Sequence, residues 1–133
     1  MGEVFTSTGG NLKCKKVIHA VGPHYKGGKM SEENDLYDTV YNCLEEACRL
    51  ELESIAMPAI SSGVFGFPMT KSAEVTVEAV RDIFENKAKD KVTVLLKTVY
   101  LVNNVAQGVW TFVEELRAVY KDTVKIISDV KDD

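Results

Sequence analysis

The chain has 133 residues, 45% of them hydrophobic and 27% charged. That is the make-up of one folded domain rather than of a disordered segment, which has few large apolar residues. No window of about 18 residues is free of charge, which excludes a transmembrane helix. Sixteen basic residues against twenty acidic ones leave a net charge of −4, whereas a general nucleic-acid or membrane-surface binder carries a basic excess.

In chain order, a short strand is possible at Glu3 to Thr6, closed by a Gly9-Gly10 turn. Lys16 to Val21 is a compact apolar run ended by the breaker pair Gly22-Pro23, and Gly27-Gly28 marks a loop. Ser31 is placed to cap a helix, with Glu32 and Glu33 in its first turn. Leu36, Val40, Cys43, Leu44, Ala47 and Cys48 then form one apolar stripe at helical spacing. Ile55 to Ile60 is a short strand, apolar on both faces as in a buried parallel strand. Its Pro58 calls for a bulge or a strand near its end.

Residues 61–68 form a loop, and a second helix is expected from about Thr70 to Lys87 with Ala73, Val77, Val80 and Phe84 on one face. Val92 to Val102 reads as a third strand. Asn103 and Asn104 are placed to cap a third helix, with Val105, Val109, Phe112, Val113 and Leu116 facing inward. Residues 121–133 alternate Lys and Asp around Val124, Ile126 and Ile127, as in an extension or a linker. Strands alternating with helices imply an α/β layered fold with mainly parallel strands, and residues 1–120 read as one domain.

Cys14, Cys43 and Cys48 are an odd set without close spacing, and no apolar stretch of signal-peptide type follows the start. A reducing compartment, cytoplasm or nucleus, is expected. Cys43 and Cys48 fall on different sides of their helix, so a shared metal is not expected and the chain offers no metal motif. Residues 11–30 hold five lysines (Lys13, Lys15, Lys16, Lys26, Lys29) and no acid. That stretch is either a solvated face or a mildly positive rim for an anionic ligand.

In open α/β sheets, ligands bind beyond the carboxyl ends of the strands. Gly22-Pro23-His24, the 61–68 loop and Leu101 to Asn104 lie there and should converge if the strands are neighbours. The loop Ser61-Ser62-Gly63-Val64-Phe65-Gly66-Phe67-Pro68 is the sharpest feature. Gly63 and Gly66 remove the Cβ atoms that hold a ligand off the backbone. Successive N–H groups then point at one phosphate, aided by the following helix N-terminus. Ser61 and Ser62 add donors, and Phe65 and Phe67 add apolar walls. This suits a diphosphate attached to a ring system, although a plain strand-to-helix turn with packing aromatics has the same sequence requirements.

Other chemistries fit less well. Neither G-x-x-x-x-G-K-[ST], G-x-G-x-x-G nor G-x-S-x-G occurs. The two histidines, His19 within a strand and His24 beyond Pro23, are five residues apart across a turn and do not make a metal site. No pair of carboxylates stands at a strand end, so no general acid or base is displayed.

Three segments taken together resemble the macrodomains, which are ADP-ribose-binding modules. They are Gly2-Glu3-Val4 through Gly22-Pro23, with the run Ile18-His19-Ala20-Val21-Gly22-Pro23; Met57-Pro58-Ala59-Ile60 through Pro68; and Thr98 to Asn103. The resemblance covers residues 2–118 and is strongest to the macrodomains of multidomain poly(ADP-ribose) polymerase-like proteins. It implies a three-layer α/β/α sandwich with a mixed, mostly parallel sheet. It also implies a diphosphate and ribose held by Ser61, Ser62, Gly63, Val64, Phe65 and Gly66, and adenine and its ribose flanked by Leu101, Val102 and Asn103.

The family's opening G-D-[IV]-T segment, its N-A-A-N strand and a Gly-rich stretch have no counterpart here. The resemblance therefore implies the carboxyl-terminal two thirds of such a domain, lacking the N-terminal strands, with exposed strand edges and low stability alone. The catalytic Asn and Asp of the hydrolysing members fall outside the chain, and no catalytic residue carries over. The expected activity is recognition of ADP-ribose, free or on ADP-ribosylated proteins, with no cofactor and with further domains possible in a longer polypeptide. An ADP-ribosyl hydrolase whose catalytic segment lies elsewhere and a non-binding remnant are the alternatives.

Overall fold

The computed structural model describes residues 3–28, 31–63, 65–103 and 106–120. The elements run β1 (Val4–Thr8), β2 (Lys16–Ala20), α1 (Glu32–Arg49), β3 (Ser54–Met57), α2 (Met69–Lys89), β4 (Thr98–Leu101) and α3 (Ala106–Tyr120). The segment read as an extension or linker, 121–133, lies outside the described residues, as do Gly2, Lys29, Val64, Asn104 and Val105.

β1 and β2 form an antiparallel hairpin in register from Val4↔Ala20 to Thr8↔Lys16. β3 and β4 pair in parallel from Ser54↔Thr98 to Met57↔Leu101. The described strands thus make two two-stranded sheets, one antiparallel and one parallel. Parallel neighbours need a long crossover, and α2 supplies it.

Strand lengths are shorter than the apolar runs suggested, for identifiable reasons. β3 stops at Met57 because Pro58 has no N–H to continue the ladder. The expected strand over 92–102 is confined to Thr98–Leu101. Its beginning is spent ending α2, where Lys91 takes φ 57° and the Val92 N–H donates to Lys87 O at 2.9 Å. Pairing starts only where the Lys97 and Thr98 N–H groups reach Glu53 O, at 2.8 and 3.3 Å.

Ser31 occupies the N-cap of α1 without a side-chain capping bond; it sits at φ 62° and accepts the Asp35 N–H through its carbonyl at 3.0 Å. The stripe on α1 is the centre of the core: Leu36, Val40, Leu44 and Ala47 are fully buried. They meet Met57, Phe67, Ile83 and Leu96, while Ala59, Ala73, Val77 and Phe112 form a second cluster. α2 packs against α1 on one side and α3 on the other. That explains why Ser72, Thr76 and Ala79 are buried beside the predicted apolar positions.

Polar bonds pin the α1–α2 seam. Tyr37 Oη donates to Asp82 Oδ2 at 2.6 Å, Asn86 Nδ2 donates to Tyr41 Oη at 3.1 Å, and Lys87 pairs with Glu45 at 2.8 Å. Burial, then the bond to Asp82, pushes the Tyr37 hydroxyl up from its ordinary pKa. Large apolar side chains remain on the outer side of the strands, with Phe5, Tyr100 and Val102 all at least half exposed.

Two outcomes follow. Leu44→Ala should lower stability by about 3 kcal/mol, the cost of a cavity in a filled core, measured by urea unfolding; a loss under about 1 kcal/mol would contradict the packing described. Burial pushes the Cys43 thiol up to about 11, whereas Cys14 is exposed. At pH 8 iodoacetamide should label Cys14 and spare Cys43 in the folded protein, read by mass spectrometry of the digested chain.

Candidate functional site

The site grows from the point where Pro58 ends the β3 ladder. The chain then turns through 58–67 and enters α2 at Met69. Ser61 and Gly66 both adopt left-handed backbone, at φ 65° and 77°. For glycine this is free; for Ser61 it costs about 1–2 kcal/mol, so other contacts must hold it.

Those contacts are present on both sides of the turn. The Phe67 N–H donates to Ser61 O at 2.8 Å, and the Gly66 N–H to Gly63 O at 3.0 Å. Ser62 Oγ donates to Ala59 O at 2.6 Å, and Ser72 Oγ from α2 donates to Ile60 O at 2.9 Å. Phe67 is buried in the core and anchors the far end.

The segment after β2 braces the loop from outside. The Tyr25 N–H donates to Phe65 O at 2.8 Å, the His24 ring stacks on Phe65 with centroids 3.7 Å apart, and Tyr25 packs on Phe67 at 5.0 Å. A Cβ on Gly22 would fall 2.2 Å from Ser61 Oγ and 2.7 Å from Ile60 Cγ2, so only glycine allows this approach.

Part of the loop's donor set is left over. Among the described residues no acceptor takes the N–H of Gly63 or Phe65. Ser61 Oγ is buried without a hydrogen-bond partner among them, a state that costs about 1–3 kcal/mol until it is satisfied. α2 starts directly behind, with no acid in its first turn to offset the positive end of its dipole. The basic residue there, Lys71, is paired with Glu33 at 2.6 Å.

Two cavities meet at Gly63. The larger, about 680 Å³, is lined by Met57, Ser62, Gly63, Met69, Val102 and Asn103 among others. The smaller, about 320 Å³, is bounded by Gly22, Ile60, Ser61, Gly63 and Phe65. Both lie in the size range of small-molecule sites. The Val102 N–H donates to Met57 O at 2.9 Å, which holds the end of β4 beside the loop. The Asn103 amide lies 3.7 Å from Met69 Sδ and packs over Gly108 in the first turn of α3. Among the described residues, no side chain lining either cavity carries a charge or an imidazole.

The three segments expected to converge do meet. Of the residues singled out from sequence, Ser62, Gly63, Val102 and Asn103 face the larger cavity, and Ser61, Gly63 and Phe65 the smaller. Gly66 turns into open space. Leu101 packs against both core clusters instead of lining a cavity. Val64 lies outside the described residues. Lys13, Lys15 and Lys16 line a cleft between β2 and β3 rather than these cavities.

His19 is a hydrogen-bonded rim residue, with Nε2 2.8 Å from Ser7 Oγ and its ring 4.6 Å from Phe5. Sequence reading missed Pro58, Ala59 and Met69 as lining residues. Their signal was their position at the end of a strand and the start of a helix, not their chemistry.

This α/β arrangement has close relatives of known structure. A macrodomain of Oceanobacillus iheyensis, determined as a mutant with ADPR, superposes with a TM-score of 0.75 at 27% identity, over 89% of this chain and 60% of that one. The profile of the Macro domain family matches residues 1–76, and the chain belongs to that family. An uncharacterized protein of Thermotoga maritima is 46% identical over 63% of this chain and 14% of its own length. A macro domain-containing protein of Caldanaerobacter subterraneus is 38% identical over 71% of this chain and 54% of its own. An O-acetyl-ADP-ribose deacetylase of Enterobacter is 40% identical over 65% of this chain and 48% of its own. The chain thus spans about half the length of the last two relatives.

The contact between Gly22 and Ser61 is testable without ligand. Gly22→Ala should destabilise the protein by about 1–3 kcal/mol through overpacking. The loss should shrink when Ser61→Gly is also present, since that change removes the nearest clashing atom and the left-handed strain and leaves only Ile60 Cγ2 to give way. Equal losses in both backgrounds, measured by urea unfolding, would contradict the contact.

Proposed function

We propose that this chain recognises ADP-ribose, free or attached to protein, by wrapping the diphosphate with the 61–66 loop. The observation that carries the reading is the meeting at Gly63 of two cavities whose walls are the loop and the end of β4. In this reading Ser61, Ser62, Gly63, Val64, Phe65 and Gly66 meet the diphosphate and its ribose. Val102 and Asn103 flank the adenosine end, and Leu101 supports them from the core.

Backbone N–H groups together with a helix N-terminus hold a dianion without a lysine. The macrodomain from Oceanobacillus determined with ADPR supports the ligand class. The ligand itself is the only small molecule the proposal requires. ADP-ribosylated proteins are the corresponding partners, in cytoplasm or nucleus, and further domains of a poly(ADP-ribose) polymerase-like polypeptide fit the motif order.

A hydrolytic reading is favoured by one observation, the 40% identity to a protein named O-acetyl-ADP-ribose deacetylase. The uncharged lining of both cavities supports binding over catalysis by this chain's own residues.

A Cβ on Gly63 meets nothing within 4 Å, so a larger side chain there leaves the fold intact. Gly63→Glu should weaken ADP-ribose binding at least 100-fold, about 2.7 kcal/mol, by putting a like charge at the diphosphate. Calorimetry on the folded variant, with AMP and ribose 5-phosphate as weaker comparators, reads this. Unchanged affinity in the variant, or no heat from the parent protein with ADP-ribose, would sink the assignment.

A further inference from the structure

Charge is segregated along this chain. Residues 4–31 hold five lysines and no acid, so all twenty acids and eleven of the sixteen basic residues lie outside them. A chain of net charge −4 thus keeps one positive region, the mark of a surface that meets an anionic partner. Among the described residues, none of these lysines lines either cavity at Gly63. Three of them gather at the other end of β2. Lys13 and Lys15 lie in the turn between β1 and β2, and Lys16 opens β2. β2 alone, from Lys16 to Ala20, spans about 13 Å before the chain reaches Gly22, so the turn is a place apart from the 61–66 loop.

The turn is shaped, and it presents these charges to solvent. The Leu12 N–H donates to Gly9 O at 3.0 Å, and Gly10 takes φ 57°. A Cβ on Gly9 would fall 2.4 Å from Cys14 O and 2.9 Å from Cys14 Sγ, so glycine is what lets Cys14 fold back over the strand end. Lys13 and Lys15 flank Cys14, and every residue from Asn11 to Lys16 is exposed. None of the ion pairs among the described residues uses Lys13, Lys15 or Lys16. The one acid lining the cleft beside them, Glu53, is in none of those pairs either. Leu12, 66% exposed, sets an apolar group beside the three charges.

The chemistry of the turn selects among anions. Phosphate recognition favours the planar fork of arginine, and single-stranded nucleic acid adds aromatic rings on which its bases stack. Residues 9–16 contain neither. Lysines are flexible point charges on apolar stems. They suit carboxylates spread along a chain, and Leu12 offers contact to an apolar side chain between them. We infer that the turn between β1 and β2 is a docking surface for an acidic peptide segment of a partner protein, one with an apolar residue among its carboxylates. The carboxylates meet Lys13, Lys15 and Lys16, and the apolar residue packs on Leu12 and the lysine stems. The docking surface stands independently of the ADP-ribose reading, since place and ligand both differ.

The probe is a fluorescein-labelled twelve-residue peptide of alternating Glu and Asp with two apolar residues at its centre. It is titrated against the full chain at about 0.1 M salt, where screening acts over about 10 Å. Fluorescence anisotropy should show saturable binding that excess ADP-ribose does not displace. Lys13→Gln, Lys15→Gln and Lys16→Gln together should weaken it at least tenfold, whereas Arg at the same three positions should preserve it. Leu12→Ser should weaken this peptide at least threefold and leave a peptide of Glu and Asp alone unchanged. Bound peptide should also slow alkylation of the exposed Cys14 by iodoacetamide at least fivefold, a footprint confined to the turn. All four substituted side chains are exposed, so the variants keep the parent's urea midpoint. No binding by the parent chain, equal affinity in the Gln variant, no protection of Cys14, or a Leu12→Ser variant that loses nothing would each overturn the proposal. Tighter binding of a twelve-nucleotide single strand than of the peptide would overturn it as well and assign the turn to nucleic acid.

Discussion

Everything at the functional end of this molecule depends on one pairing, the parallel register of Ser54–Met57 with Thr98–Leu101. Parallel strands bring both carboxyl ends to the same side, and the crossover between them must return along the sheet. α2 therefore begins where β3 ends, and its N-terminus, the 58–67 turn and the Val102-Asn103 segment are forced together. The Val102 N–H bond to Met57 O carries the pairing just past the formal end of β4. Without it the two walls of the larger cavity would have no common frame.

Within that frame the turn is held by its neighbours rather than by its own preferences. Ser61 is placed in a backbone conformation that its side chain disfavours. Core burial of Phe67, the Ser72 hydroxyl and the braced Phe65 carbonyl offset that cost. A strained residue kept in place by rigid surroundings is a pre-organised one. The segment Gly22 to Tyr25, which never enters the larger cavity, belongs to the site in this indirect sense.

The sequence made the helices and the loop easy to read. Periodic apolar positions such as Leu36, Val40 and Leu44 are dictated by burial, and they are buried. Gly66 announces a turn because its left-handed backbone, at φ 77°, favours glycine. Strand extents were harder to read, because Val92 to Leu96 has strand-like side chains but serves to terminate α2 and, through Leu96, to fill the core. A strand exists only where a partner lies beside it, and partners are non-local. The lysine-rich stretch left two readings open for a similar reason. Charge density along a chain does not tell which cleft the charges line, and Lys13, Lys15 and Lys16 line the one between the sheets. Ser31 shows the limit at the level of one residue: its position as a cap was visible, while its left-handed backbone was not.

Gly63 separates two kinds of selection. Most positions in a small domain are judged first by whether the protein folds, so losses of function are hard to tell from losses of structure. At Gly63 a side chain would project into open space, and the fold is indifferent to what stands there. A survey of variants scored by abundance or protease resistance would pass over this position as tolerant. On the proposed reading of the loop, a survey scored by retention on immobilised ADP-ribose would rank it among the most restricted. Where those two profiles diverge along a chain, the difference itself draws the outline of a binding site.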